Sequence, residues 1–210
     1  MNNEQGLQEI ERTRIIAIMR GVEREHVAAA TEALLLGGIT VMEITLNSPD
    51  ALRIIDSMQT QYATQMFIGA GTVLDLQDAK SAIAAGASYL VTPNTDEEVI
   101  RWAKSQDIPV FPGAMTPTEI VKAWKAGATA VKVFPSASLG LPYIQELMGP
   151  LNHIPLIAVG GVHESNIKQF LDIGCYGVGI GGSLFNLFEI ANRNYTWITQ
   201  KASRLVAASR

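Results

Sequence analysis

In the stretch AGATAVKVFPSA, residues 126 to 137, a glycine suited to the position just past a helix end is followed at once by a short β-branched run. The same order of events recurs along the chain. LGGI at 36, AGAS at 85 and IGCY at 173 each stand before another strand candidate. The strands predicted in this way are IIAIM (15–19), TVMEIT (40–45), MFIGA (66–70), SYLVT (88–92), IPVF (108–111), AVKVF (130–134), LIAVG (156–160) and YGVGIG (176–181). Amphipathic helical windows lie between them, the alternation expected of βαβ units and a parallel sheet. Helix starters follow several strands: SPD at 48, the capping-box pattern TDEE at 95, and TPTE at 116, where Thr116 caps, Pro117 suits the first turn and Glu119 reaches back.

Eight such units with no linker or low-complexity tract between them predict an α/β fold, a single (β/α)8 TIM barrel over residues 1–210. A polar N-terminal segment, 1–14, precedes it, and a C-terminal helix at about 194–208 covers the barrel or makes a subunit contact. The alternative, a doubly wound open sheet, calls for a Gly-rich dinucleotide turn after the first strand, where MRGVERE offers one glycine.

With 48% hydrophobic and 17% charged residues and a net charge of -4, the composition is that of a globular protein without the basic surface of a nucleic-acid binder. The polar start and the short run IIAIM lack a signal h-region or a membrane span, so a cytoplasmic protein without a membrane partner is expected. The single cysteine, Cys175, lies in an apolar setting and reads as an inert core thiol. His26, His153 and His163 are scattered, without metal-ligand spacing, and solvent-exposed or capping roles are expected of them; no metal and no cofactor are called for.

Alternation along a strand gives Lys132 the face of Ala130 and Phe134, and leaves Val131 and Val133 for the helices. The same parity turns Val41, Glu43 and Thr45 inward, and puts Arg20 on the face of Ile16 and Ile18. Three ionisable residues thus converge on the barrel interior. A structural salt bridge between Lys132 and Glu43 is one reading. The other is chemical: desolvation lowers the lysine pKa, a neutral amine attacks a carbonyl, and a nearby carboxylate shuttles protons. AVGGVHESN and GIGGSLF follow the seventh and eighth strands, where barrels often bind phosphate on backbone amides. Gly160, Gly161, Gly181, Gly182 and Ser183 fit that role, although glycine pairs also serve plain tight turns. GAGTV at 69–73 leaves room above the barrel and offers the Thr72 hydroxyl, or is simply a tight turn.

Taken together, IIAIMRG, GGITVMEITLNSP, IGAGTVLD, LVTPN, PGAMTPTE, VKVFPS, VGGV and GIGGS resemble, in order and over nearly the whole chain, a family of class I aldolases. Its members act on 2-keto-3-deoxy-6-phosphogluconate (KDPG), 2-keto-3-deoxy-6-phosphogalactonate or 4-hydroxy-2-oxoglutarate. The resemblance implies a small barrel, usually a homotrimer, that releases pyruvate and glyceraldehyde 3-phosphate without a metal. It carries the imine-forming lysine to Lys132 and the acid/base glutamate to Glu43. Thr72 becomes a contact for the pyruvate carboxylate region, Pro93 and Phe134 line the pocket, and the glycines with Ser183 take the phosphate end. Thr45 and Asn47 join the substrate-binding set. Asn47 stands where many gluconate-type enzymes have arginine, and galactonate-type members resemble the chain there; Arg20 is then the guanidinium left to bind carboxylate or hydroxyls. Other readings of the same residues are a phosphate-binding isomerase or thiamine-phosphate-type synthase, and a non-catalytic sugar-phosphate sensor.

Overall fold

The computed structural model describes residues 1–210. Its strands are β1 (Ile15–Met19), β2 (Val41–Thr45), β3 (Phe67–Gly71), β4 (Leu90–Val91), β5 (Val110–Phe111), β6 (Gly113–Ala114), β7 (Val131–Val133), β8 (Leu156–Val159) and β9 (Gly177–Ile180). They form one parallel sheet in the order β5-β4-β3-β2-β1-β9-β8-β7-β6. The two ends of that order are consecutive in the chain, separated only by Pro112, so the sheet curls into a nearly closed barrel. Proline has no N–H for the ladder, which is why the barrel's fifth strand is broken into β5 and β6. The Pro112 carbonyl still accepts the Lys132 amide at 2.9 Å, linking this strand to β7. The eight expected strands are all found, and the fifth runs further than expected, through Ala114.

Eleven helices surround or plug the barrel: α1 (Asn3–Thr13), α2 (Arg24–Leu36), α3 (Ala51–Tyr62), α4 (Leu76–Ala84), α5 (Glu97–Ser105), α6 (Pro117–Ala126), α7 (Ser136–Leu139), α8 (Leu141–Met148), α9 (Ile167–Asp172), α10 (Leu187–Ala191) and α11 (Tyr195–Ala208). The capping box at Thr116 and Glu119 is present with Pro117 at the start of α6, and Gly127 ends that helix at φ 111°. In TDEE the cap is one residue later than expected. Asp96 accepts from the amides of Glu98 and Val99, while the Thr95 hydroxyl donates instead to the Gly113 carbonyl across the barrel mouth.

The polar N-terminal segment is helical. Asn2 and Gln5 form a reciprocal capping box, and Ile10 is fully buried against the barrel interior. Gly6 permits this packing, because a Cβ there would lie 2.2 Å from the Phe67 ring. The C-terminal helix, α11, packs on α2, with Gly37 pressed against Ala202. His26 corrects the expectation of an exposed or capping histidine: it is buried on α2, with Nδ1 2.8 Å from the Tyr195 hydroxyl of α11. Its position on the side of α2 that meets α11 decides this, and sequence periodicity within α2 alone does not identify the neighbour. Cys175 is fully buried, as expected of a core thiol, and burial pushes its pKa up to about 12.

Two cores follow from strand parity. Met42, Ile44, Val131 and Val133 belong to the outer core between sheet and helices. Ile16, Ile18, Val41, Phe67, Tyr89 and Ala130 belong to a smaller one inside the barrel. No helix is long and apolar enough to cross a membrane.

Candidate active site

Lys132 and Glu43 sit inside the barrel with side chains almost removed from solvent, at 5% and 2% exposure. They share the interior with hydrocarbon. A small void of about 10 Å³ touches both side chains and is otherwise walled by apolar residues such as Ile16, Ile18, Phe111 and Ile157. No ion pair joins Lys132 to Glu43 within 4 Å, so the structural salt bridge is not what holds them. Burial lowers the Lys132 pKa, with the Arg20 charge acting in the same direction and Glu43 opposing. Burial raises the Glu43 pKa, and the positive charges of Lys132 and Arg20 oppose that rise. The amine is thereby brought toward its neutral form and the carboxyl toward its protonated form.

Glu43 has its place because β3 carries no side chain beside it. A Cβ on Gly71 would fall 2.3 Å from Glu43 Oε1. Lys132 Nζ lies 5.1 Å from the centre of the Phe134 ring, within reach of a cation–π contact whenever it is charged. Ser136, buried at the start of α7, fixes this strand to its neighbour. Its hydroxyl donates to the Val133 carbonyl at 2.7 Å and accepts the Val159 amide at 3.0 Å. The Phe134–Pro135 peptide between them is cis.

Above Lys132 a cavity of about 480 Å³ opens at the C-terminal ends of the strands. Arg20, Thr72, Pro93 and Phe134 line one part of it, and Gly160, Gly161, Gly181, Gly182 and Ser183 line the other. Arg20 Nη2 donates to Thr72 Oγ1 at 3.3 Å. Thr72 has φ 56°, a left-handed conformation unfavourable for a β-branched residue, and it aims the hydroxyl at the cavity. At the glycine end, Gly161 has φ 72°, and a Cβ there would lie 2.2 Å from that of Ala137, so this loop is open only to glycine. The Ser183 hydroxyl donates to the Val162 carbonyl at 2.9 Å and clips the two glycine loops together. The amides of Gly161, Gly182 and Ser183 are not committed to backbone carbonyls.

Two residues of the expected substrate-binding set stand away from the cavity wall. Thr45 is fully buried, and its hydroxyl lies 3.0 Å from that of Ser48, which in turn accepts the Gly21 amide. Thr45 therefore ties the loop after β2 to the loop after β1, which carries Arg20. Asn47 is exposed in the loop after β2. Sequence reasoning did not single out Ile18, Val159 and Gly179, which line the cavity, or Ser136, which ties β7 to β8, and Tyr89, which is buried inside the barrel. Parity identifies Ile18 and Val159 as interior residues, but nothing local marks them as cavity wall. His163, the histidine nearest the mouth, does line the cavity. A second cleft, about 450 Å³, opens at the other end of the barrel beside Arg14 and His153; the Arg14 guanidinium there is bonded to the carbonyls of Tyr176 and Cys175. No group of three or more His, Cys, Asp and Glu side chains is arranged to hold a metal ion.

Similarity to known proteins agrees with this geometry. The family model described as "Aldolase: KDPG and KHG aldolase" matches residues 7–201. The chain is 38% identical to the 2-dehydro-3-deoxy-6-phosphogalactonate aldolase of Escherichia coli (strain K12), over 93% of this chain and 94% of that protein. It is 32% identical to the 2-dehydro-3-deoxy-phosphogluconate aldolase of Pseudomonas aeruginosa, over 76% and 73% of the two chains. Among solved structures, a native KDPGal structure superimposes with a TM-score of 0.87 at 37% identity, covering 92% of this chain and 93% of the other. The KDPG aldolase of Legionella pneumophila, with pyruvate captured at low pH as a covalent carbinolamine intermediate, superimposes with a TM-score of 0.89 at 26% identity, covering 96% and 98%. With the family model spanning nearly its whole length, the chain belongs to the KDPG and KHG aldolase family.

Proposed function

We propose that this chain is a class I aldolase that cleaves a 2-keto-3-deoxy-6-phospho sugar acid to pyruvate and D-glyceraldehyde 3-phosphate through an imine on Lys132. The observation that carries the reading is an amine buried in hydrocarbon at the floor of a cavity whose far wall presents uncommitted backbone amides. The first feature makes a nucleophile; the second suits a phosphate. The neutral Lys132 amine attacks the C2 carbonyl to give a carbinolamine. Glu43, protonated, gives its proton to the departing hydroxyl, which leaves as water, and an iminium remains. Glu43, now a carboxylate, takes the proton of the C4 hydroxyl. The C3–C4 bond breaks, its electrons flow into the iminium to form an enamine, and the aldehyde departs. Protonation at C3 and hydrolysis by water then release pyruvate and the free amine.

Arg20 and Thr72, bonded to each other, receive the carboxylate end of the substrate, and Pro93 and Phe134 bracket the keto carbon. Gly160, Gly161, Gly181, Gly182 and Ser183 receive the phosphate. Thr45 and Asn47 act through the loop they shape. The greater identity to a phosphogalactonate aldolase than to a phosphogluconate aldolase favours the galactonate substrate. We place the enzyme in the cytoplasm as a homotrimer, in line with the family resemblance.

Borohydride reduction in the presence of pyruvate tests the chemistry. Lys132 should be labelled in the peptide mass map, and Lys132→Ala should keep the fold while losing both label and turnover. A label on another lysine would overturn the assignment. An isomerase or a sugar-phosphate sensor would give binding without any trapped imine.

A further inference from the structure

The inner face of β3 is bare at two successive interior positions. A Cβ on Gly69 would lie 2.4 Å from the Tyr89 ring, and a Cβ on Gly71 would lie 2.3 Å from Glu43 Oε1. Two side chains therefore extend over the same strand from opposite sides, Glu43 from β2 and Tyr89 from the residue before β4. The register agrees, since Glu43 pairs with Gly69 and Leu90 with Ala70, which puts Tyr89 level with Gly69. Tyr89 is fully buried, stacked on Phe67 at 4.8 Å and edge-on to Phe111 at 5.5 Å.

A phenylalanine would fill this space equally well. Among side-chain polar atoms wholly removed from solvent, the Tyr89 hydroxyl alone has no hydrogen-bond partner. An unsatisfied buried hydroxyl is destabilising, so its presence calls for a partner. Glu43 is the ionisable group whose charge acts on it, and together with burial keeps the phenol protonated, hence a donor. The charged groups acting on Glu43 are Lys132 from β7 and Arg20 from the loop after β1.

We propose that Tyr89 is a positioning residue for Glu43. Its hydroxyl, which meets no acceptor directly, donates to the carboxylate through one bridging water and favours the rotamer and the ionised form that accept the C4 hydroxyl proton. The inference rests on the reading of Glu43 as the acid/base group.

The test compares wild type, Tyr89→Phe and Glu43→Gln as full-length proteins. It measures the pH profile of kcat on the phosphogalactonate substrate, together with thermal melting of Tyr89→Phe in wild-type and Glu43→Met backgrounds. Losing the donor makes Glu43 harder to ionise, so the acid limb should move to higher pH by about half a unit or more. Melting should fall for Tyr89→Phe in the wild-type background and should not fall in the Glu43→Met background, where no acceptor remains. A Tyr89→Phe acid limb superimposable on wild type, with Glu43→Gln inactive, overturns the role of Tyr89 alone. Wild-type turnover by Glu43→Gln overturns the reading of Glu43 and the role of Tyr89 with it.

Discussion

Gly71→Ala tests how tightly the acid/base carboxyl is held. The new methyl would stand 2.3 Å from Glu43 Oε1 and 2.7 Å from Glu43 Cδ, where ordinary contact begins at 3.4 Å, so the carboxyl must retreat by about 1 Å. A misplacement of that size costs about 100-fold in rate when the displaced group takes part in the chemistry. The backbone is not at issue, since Gly71 is an ordinary strand residue within β3. Overpacking of a filled interior should lower stability by about 1–3 kcal/mol, which a domain of this size survives. The assay is steady-state pyruvate release, coupled to lactate dehydrogenase, with circular dichroism as the check on folding. The loss should appear in kcat, with KM little changed, because Arg20, Thr72 and the glycine loops are untouched. A folded Gly71→Ala enzyme with wild-type kcat would refute the claim that Glu43 must occupy the space this glycine clears.

Two further outcomes are expected. Thr72→Gly removes the left-handed strain and the hydroxyl together, so KM should rise while the unfolding free energy stays level or increases by up to about 1 kcal/mol in urea titration; a clear loss of stability would count against the strain argument. Arg20→Met removes a positive charge that helps lower the Lys132 pKa, so the pH at which borohydride trapping becomes efficient should move upward. The stability consequence has a definite sign. The folded Lys132 pKa lies below its unfolded value, so the unfolded chain binds more protons between the two, and stability rises with pH through that window. A smaller downward shift in Arg20→Met should narrow the window from below, as chemical denaturation across alkaline pH will read.

The barrel was legible in the sequence because its signals are local. A helix-ending glycine, a β-branched run and a capping residue each act within a few positions, and their repetition gives the strand count. Strand parity is local too, which is why Lys132 and Glu43 could be assigned to one interior before any neighbour was known. Arg20, on the same face but one residue past β1, stands exposed at its mouth. Contacts between distant segments were not legible. The amphipathic N-terminal helix reads as a polar segment until Phe67 shows where Ile10 goes, and the split at Pro112 matters only because β4 and β7 lie on either side of it. Thr45 has the parity of a site residue, yet its hydroxyl meets Ser48, a choice made by the turn that follows.

Residue types and their spacing thus determined the fold, the buried amine and the carboxylate. Only the tertiary structure decided that these two are not bonded to each other and that Gly71 makes the carboxylate's space. It alone left the Tyr89 hydroxyl without a partner beneath the same wall. Those are matters of distance across the barrel, set by how neighbouring strands register, and they also decide whether a buried charge is an ion pair or a reagent.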